Sequence, residues 1–126
     1  MEMYSELILD LYKHPANKGN LPNYTVRWEE HNPLCGDTVA IEIDFGKKGE
    51  IKNIAWQGNG CVVSQTAASL LTDHVKDKTT KVAAKFSSEE MLELLGLTKL
   101  NPTRLRCALL GLKTLQKALA SYVART

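Results

Sequence analysis

Near the start of the chain, apolar side chains fall at Tyr4, Leu7, Ile8 and Leu11. That spacing of i, i+3, i+4 and i+7 predicts one buried face of a helix, which Pro15 and Gly19 then stop. The period next drops to two. Tyr24, Val26 and Trp28 alternate with polar residues, as do Val39, Ile41, Ile43 and Phe45, predicting two strands that each bury one face. Gly46-Lys47-Lys48-Gly49 reads as a hairpin turn into a third antiparallel strand, Ile51 to Trp56. Its apolar positions 51, 54 and 56 slip phase once, which predicts a bulge.

After Gly58-Asn59-Gly60 the pattern becomes helical. Val63, Thr66, Ala67, Leu70, Leu71 and His74 make one stripe, followed by a polar stretch and a short element around residues 82–86. Ser87 and Glu90 have the spacing of a capping box, and Gly96 ends the helix they begin. Pro102 opens a last helix whose stripe runs Leu105, Leu109, Leu112, Leu119 and Val123. A helix, three strands and then helices, with no repeat and no linker, predict a single α+β domain over residues 1–126. Its architecture is a small three-stranded antiparallel sheet with helices packed on one face.

Composition adds exclusions. With 126 residues and 44% hydrophobic content, the chain can bury one core. A formal net charge of +2 gives no basis for nucleic-acid binding or an anionic membrane surface. No stretch approaches the roughly 20 apolar residues of a membrane helix. Acidic residues stand in the first ten positions, where a signal peptide would carry lysines, so the expected compartment is a reducing cytoplasm. Three cysteines cannot all pair within the chain, which argues against a disulfide framework.

Chemistry therefore rests on where those thiols fall. Cys35 lies in the turn that enters the second strand. Cys61 follows Gly-Asn-Gly and opens a helix, and Cys107 sits in the second turn of the last helix. Helix N-termini stabilise thiolates, the form that binds metals and attacks sulfur. Asp37 stands two positions beyond Cys35, so on an extended backbone the two side chains would point the same way and share one ion. Three thiolates and one carboxylate suit zinc or an iron–sulfur cluster. Against this, a free cysteine often behaves as a small buried hydrophobe, and no CxxC pair is present. His31 is close enough in sequence to Cys35 for a Cys–His nucleophile pair, but no positioning third group accompanies it. His14 and His74 read as a helix-end cation and a half-buried stripe residue.

Three stretches carry a resemblance: NPLCGD, then GNGCVVSQTAASLLTDHVKDKT, then NPTRLRCALLGLKTLQKAL. Together with the opening YSELILDLYKHPANKGNL, they resemble the U-type iron–sulfur cluster assembly family, the IscU and SufU proteins related to the N-terminal domain of NifU. The resemblance covers nearly the whole chain in order. It implies that Cys35, Asp37, Cys61 and Cys107 are ligands for zinc or for a transient [2Fe–2S] cluster. It further implies that a cysteine desulfurase of the SufS or IscS kind delivers sulfur as a persulfide; Cys35, in a loop flanked by Pro33 and Gly36 and the thiol least constrained by helix, is the expected acceptor, with Cys107 as its rival. Apo iron–sulfur proteins would be the recipients. Such a chain is chiefly a scaffold or carrier, with a zinc-dependent sulfurtransferase as the enzymatic alternative. Arg106 stands where IscU members have a histidine and SufU members a lysine, and GNGCVVSQ is nearer the SufU pattern. The insertion that SufU members carry between the second and third cysteines is absent. Leu100-Asn101-Pro102-Thr103-Arg104 keeps only the leucine, one proline and the final cation of the IscU chaperone-binding segment LPPVK. The resemblance therefore does not imply a dedicated heat-shock chaperone.

Overall fold

The computed structural model describes residues 6–34, 36–97 and 100–125. Tyr4 of the first apolar stripe and Cys35 lie outside the described residues. The elements are α1 (Glu6–Lys13), β1 (Val26–His31), β2 (Thr38–Phe45), β3 (Ile51–Asn59), α2 (Val62–Val75), α3 (Thr80–Ala84), α4 (Ser88–Leu95) and α5 (Pro102–Arg125). The strands form one antiparallel sheet in the order β1-β2-β3. Gly46 and Glu50 close the β2–β3 hairpin, and the register slips between Asp44 and Phe45, passing over Lys52. The phase slip in the sequence marks this irregularity. β3 runs on through Asn59, beyond the expected end at Trp56, because Gln57, Gly58 and Asn59 continue to pair with Ala40, Val39 and Thr38.

Ile41, Ile43, Ile54 and Trp56 stand opposite one another on the inner face of the sheet and are nearly or wholly buried beneath α2 and α5. β2 departs from the one-face expectation, since Val39 through Ile43 are all buried. The segment after α1 covers its other side. Trp56 and residues 17–19 exchange backbone hydrogen bonds along the edge of β3, and the Leu21 amide donates to the Glu42 carboxylate at 2.8 Å. Arg27 pairs with the same carboxylate at 3.4 Å. A buried carboxylate is tolerated when donors surround it in this way.

Local signals were read correctly in α4. Ser87 and Glu90 form the reciprocal capping box, and Gly96 adopts the left-handed cap at φ 71°. The stripe on α5 needs correction. Leu112 and Leu119 are buried as expected, but Val123 is 59% exposed and Leu105 and Leu109 are half-buried, and the buried face also takes in Cys107, Ala108, Leu110, Gly111, Leu115 and Ala118. Gly111 lies on this face against α2, where an added methyl would make ordinary van der Waals contact 3.5 Å from the Ala68 Cα.

Candidate metal centre

The loop between β1 and β2 is tightly closed. The Asn32 amide donates to the Asp37 carbonyl and the Gly36 amide to the Asn32 carbonyl, both at 2.8 Å, while the Leu34 amide bonds the Asn32 side chain. Gly36 has φ +77°, the left-handed region that favours glycine. The same-side expectation for Cys35 and Asp37 falls on Cys35, which lies outside the described residues. Asp37 ends this loop and faces inward with 5% exposure.

Cys61 is the N-cap residue of α2, with extended backbone angles and no capping hydrogen bond from its side chain. Its thiol is thus left for other partners. The Cys61 amide instead donates to Asp37 Oδ2 at 3.3 Å, so the loop carboxylate supplies the negative charge that the first turn of α2 lacks. Cys107, 2% exposed, projects from the second turn of α5. One ligand atom from each of Asp37, Cys61 and Cys107 lies within 4.8 Å of the others. Cys35, expected in the same group, lies outside the described residues.

Burial works to raise the pKa of Asp37, but hydrogen bonds from the Ser64 hydroxyl, the Cys107 thiol and the Cys61 amide and thiol outweigh it and hold the carboxyl below its usual value. Asp37 is thereby kept ionised, as a metal ligand must be. A set of two thiols and one carboxylate fits zinc or the iron of a cluster, and loading it would release the thiol protons.

Sequence reading passed over several residues here. A cleft of about 340 Å³ opens onto the three donors and is lined also by Asn101, Thr103 and Arg104. Arg104 lines this cleft together with Cys107, and Arg106 does not. Residues three apart share a helix face, whereas adjacent residues diverge, so the i−3 position was the available signal. Arg106 lies along a separate groove with His31, Asn32, Pro33, Leu105 and Leu109. Ser64, fully buried, was also missed although it stands three positions beyond Cys61. His74 leans on Phe86 with ring centroids 4.8 Å apart, outside this centre.

A sheet hairpin and two helix starts bring two thiols and a carboxylate together, which defines a small α+β domain with a sulfur-rich donor group of a kind that suits a metal ion. The chain belongs to the NifU-like N-terminal domain family, whose sequence model matches residues 3–126. It is 31% identical to the zinc-dependent sulfurtransferase SufU of Bacillus subtilis, over 94% of this chain and 90% of that protein. It is 32% identical to the iron–sulfur cluster assembly scaffold protein IscU of Thermotoga maritima, over 93% of this chain and 92% of that one. The crystal structure of FiSufU, a SUF-system protein of Fervidobacterium islandicum, superposes with a TM-score of 0.78 at 28% identity, covering 93% of this chain and 96% of the other. Among the described residues, no helix is long and apolar enough to cross a membrane.

Proposed function

We propose that this protein is a scaffold and sulfur acceptor of iron–sulfur cluster assembly, with Cys35, Asp37, Cys61 and Cys107 as its ligands. The observation that supports this reading is the convergence of Asp37, Cys61 and Cys107 within 4.8 Å from three distant segments. Cys35, two residues before Asp37 in sequence, completes a four-donor set. Residues 1–126 act as one domain, in a reducing cytoplasm that keeps the thiols available.

Sulfur enters as cargo. The Cys35 thiolate attacks the terminal sulfur of a persulfide on a cysteine desulfurase. A sulfur–sulfur bond forms at Cys35, the one on the desulfurase breaks, and the desulfurase cysteine leaves as thiolate without net oxidation. A [2Fe–2S] cluster would be held transiently by the same donors and passed to recipient apo iron–sulfur proteins. Asp37 is the harder donor among thiolates and so the natural ligand to leave first.

A second reading is favoured by the likeness to the Bacillus subtilis protein: a zinc-dependent sulfurtransferase that accepts persulfide without holding a cluster. Zinc, when bound, would keep the thiols deprotonated. Metal and acid-labile sulfide analysis after anaerobic purification, with a visible spectrum and a desulfurase-stimulation assay, separates the two. Iron with sulfide supports the scaffold, and zinc alone with stimulated desulfurase supports the second reading. A chain that takes up neither metal and does not stimulate the desulfurase would refute both.

A further inference from the structure

We propose that Ser64 is the positioning residue that sets how tightly Asp37 holds a metal at this centre. The inference rests on the ligand set above and concerns a side chain that does not itself ligate. Ser64 lies in the first turn of α2 with no exposed surface. Its Oγ donates to the Cys61 carbonyl at 3.1 Å and lies 3.9 Å from Cys61 Sγ, and with the Asp37 carboxylate it crowds the same space beside Gly60, where it helps hold the carboxyl below its usual pKa. One buried hydroxyl therefore touches two of the three converging donors.

Gly60 shows how closely these groups are drawn together. A methyl group placed on it would lie 2.5 Å from Ser64 Oγ, 2.7 Å from Asp37 Cγ and 2.9 Å from Asp37 Oδ2. Only the missing side chain of Gly60 leaves room for hydroxyl and carboxylate to meet. A hydroxyl has a single proton to donate; here the Cys61 carbonyl accepts it, and rotation of the hydroxyl would turn it to the adjacent Asp37 carboxylate. The hydroxyl stays beside Asp37, where it restrains one carboxylate oxygen and leaves the other to face the ion. Hydrogen-bond partners of metal ligands act in this way, and losing one costs about 10–100-fold in metal affinity.

The bland alternative is that Ser64 only bonds back to the turn of its own helix. A double-mutant cycle separates the two. Zinc affinity is measured on the full chain by competition with a chromophoric chelator, together with the rate of zinc transfer to it. Cobalt-loaded protein reports the geometry of the centre by its visible spectrum. Ser64→Ala should lose about tenfold in zinc affinity, release zinc faster and alter the cobalt spectrum. In an Asp37→Ala background the same change should cost less than about twofold, because the group that Ser64 positions is gone. Gly60→Ala, which drives a methyl between hydroxyl and carboxylate, should repeat the Asp37-dependent loss and keeps the question open to test if Ser64→Ala does not fold. Equal losses in both backgrounds, or none in either, would overturn the proposal while leaving the ligand set intact. A wild-type chain that binds neither zinc nor cobalt would overturn the ligand set as well.

Discussion

Occupation of the centre should register as folding stability, because its donors come from the β1–β2 loop, the start of α2 and the second turn of α5. A metal that binds only the folded chain adds about 2.7 kcal/mol when its free concentration is 100 times the dissociation constant. At roughly 4 °C per kcal/mol for a domain of this size, zinc should raise the melting midpoint by about 10 °C. Cys61→Ser gives the sharpest test, since its two effects have opposite signs. Cys61 occupies the N-cap of α2 with extended angles but does not use its side chain to cap. Serine is a favoured N-cap residue, so the metal-free variant should match or exceed wild type, by up to about 1 kcal/mol. The same variant should lose most of the zinc increment. Cys107→Ser should differ in the metal-free state, because Cys107 is 2% exposed and exchanging its buried thiol for a more polar hydroxyl costs about 1–3 kcal/mol. Calorimetry of each variant with chelator and with excess zinc gives both quantities from one pair of scans. A Cys61→Ser protein that keeps the full zinc increment would refute the shared centre.

Three further outcomes are expected. Asp37 has a folded pKa below its unfolded value, so its stabilisation of the metal-free chain is present above the unfolded carboxylate range near 3.8 and disappears as pH falls through the lower folded value. Denaturant titrations from pH 6 down to about 2.5 should show a steeper acid loss in wild type than in Asp37→Asn, and parallel curves would contradict this. Gly58→Ala should destabilise by about 1–3 kcal/mol in urea unfolding, since the added methyl would sit 2.2 Å from the Thr38 backbone oxygen and the strand pairing that leads into Asp37 must shift. Wild-type stability in that variant would show that the strands yield freely. After incubation with desulfurase and cysteine, mass spectrometry should find the Cys35 peptide heavier by one sulfur, about 32 Da, and label on Cys107 alone would reassign the acceptor.

What was legible in the sequence was whatever depends on neighbours along the chain. The Gly46–Gly49 turn, the Ser87–Glu90 capping box, the Gly96 stop and the start of α5 at Pro102 all appear where local rules put them. Those rules act over four or five residues, and backbone geometry enforces them before any distant contact forms. The family resemblance, carried by three separate cysteine motifs, supplied the ligand set that spacing alone left open. Tertiary packing decided the rest. Which further residues of α5 are buried beside Leu112 and Leu119 follows from its packing against α2 and the sheet, which covers Cys107, Ala108, Leu115 and Ala118. Glu42 is buried because a segment 21 residues earlier folds over it. Arg104 rather than Arg106 lines the cleft with the donors because residue i−3, not i−1, shares the helix face of Cys107. The meeting of Asp37, Cys61 and Cys107 likewise exists only when the sheet and two helices are packed, since each residue is locally just a loop end, a cap and a helical turn. Positions far apart in sequence acquire a common chemistry only through burial of the core that joins them.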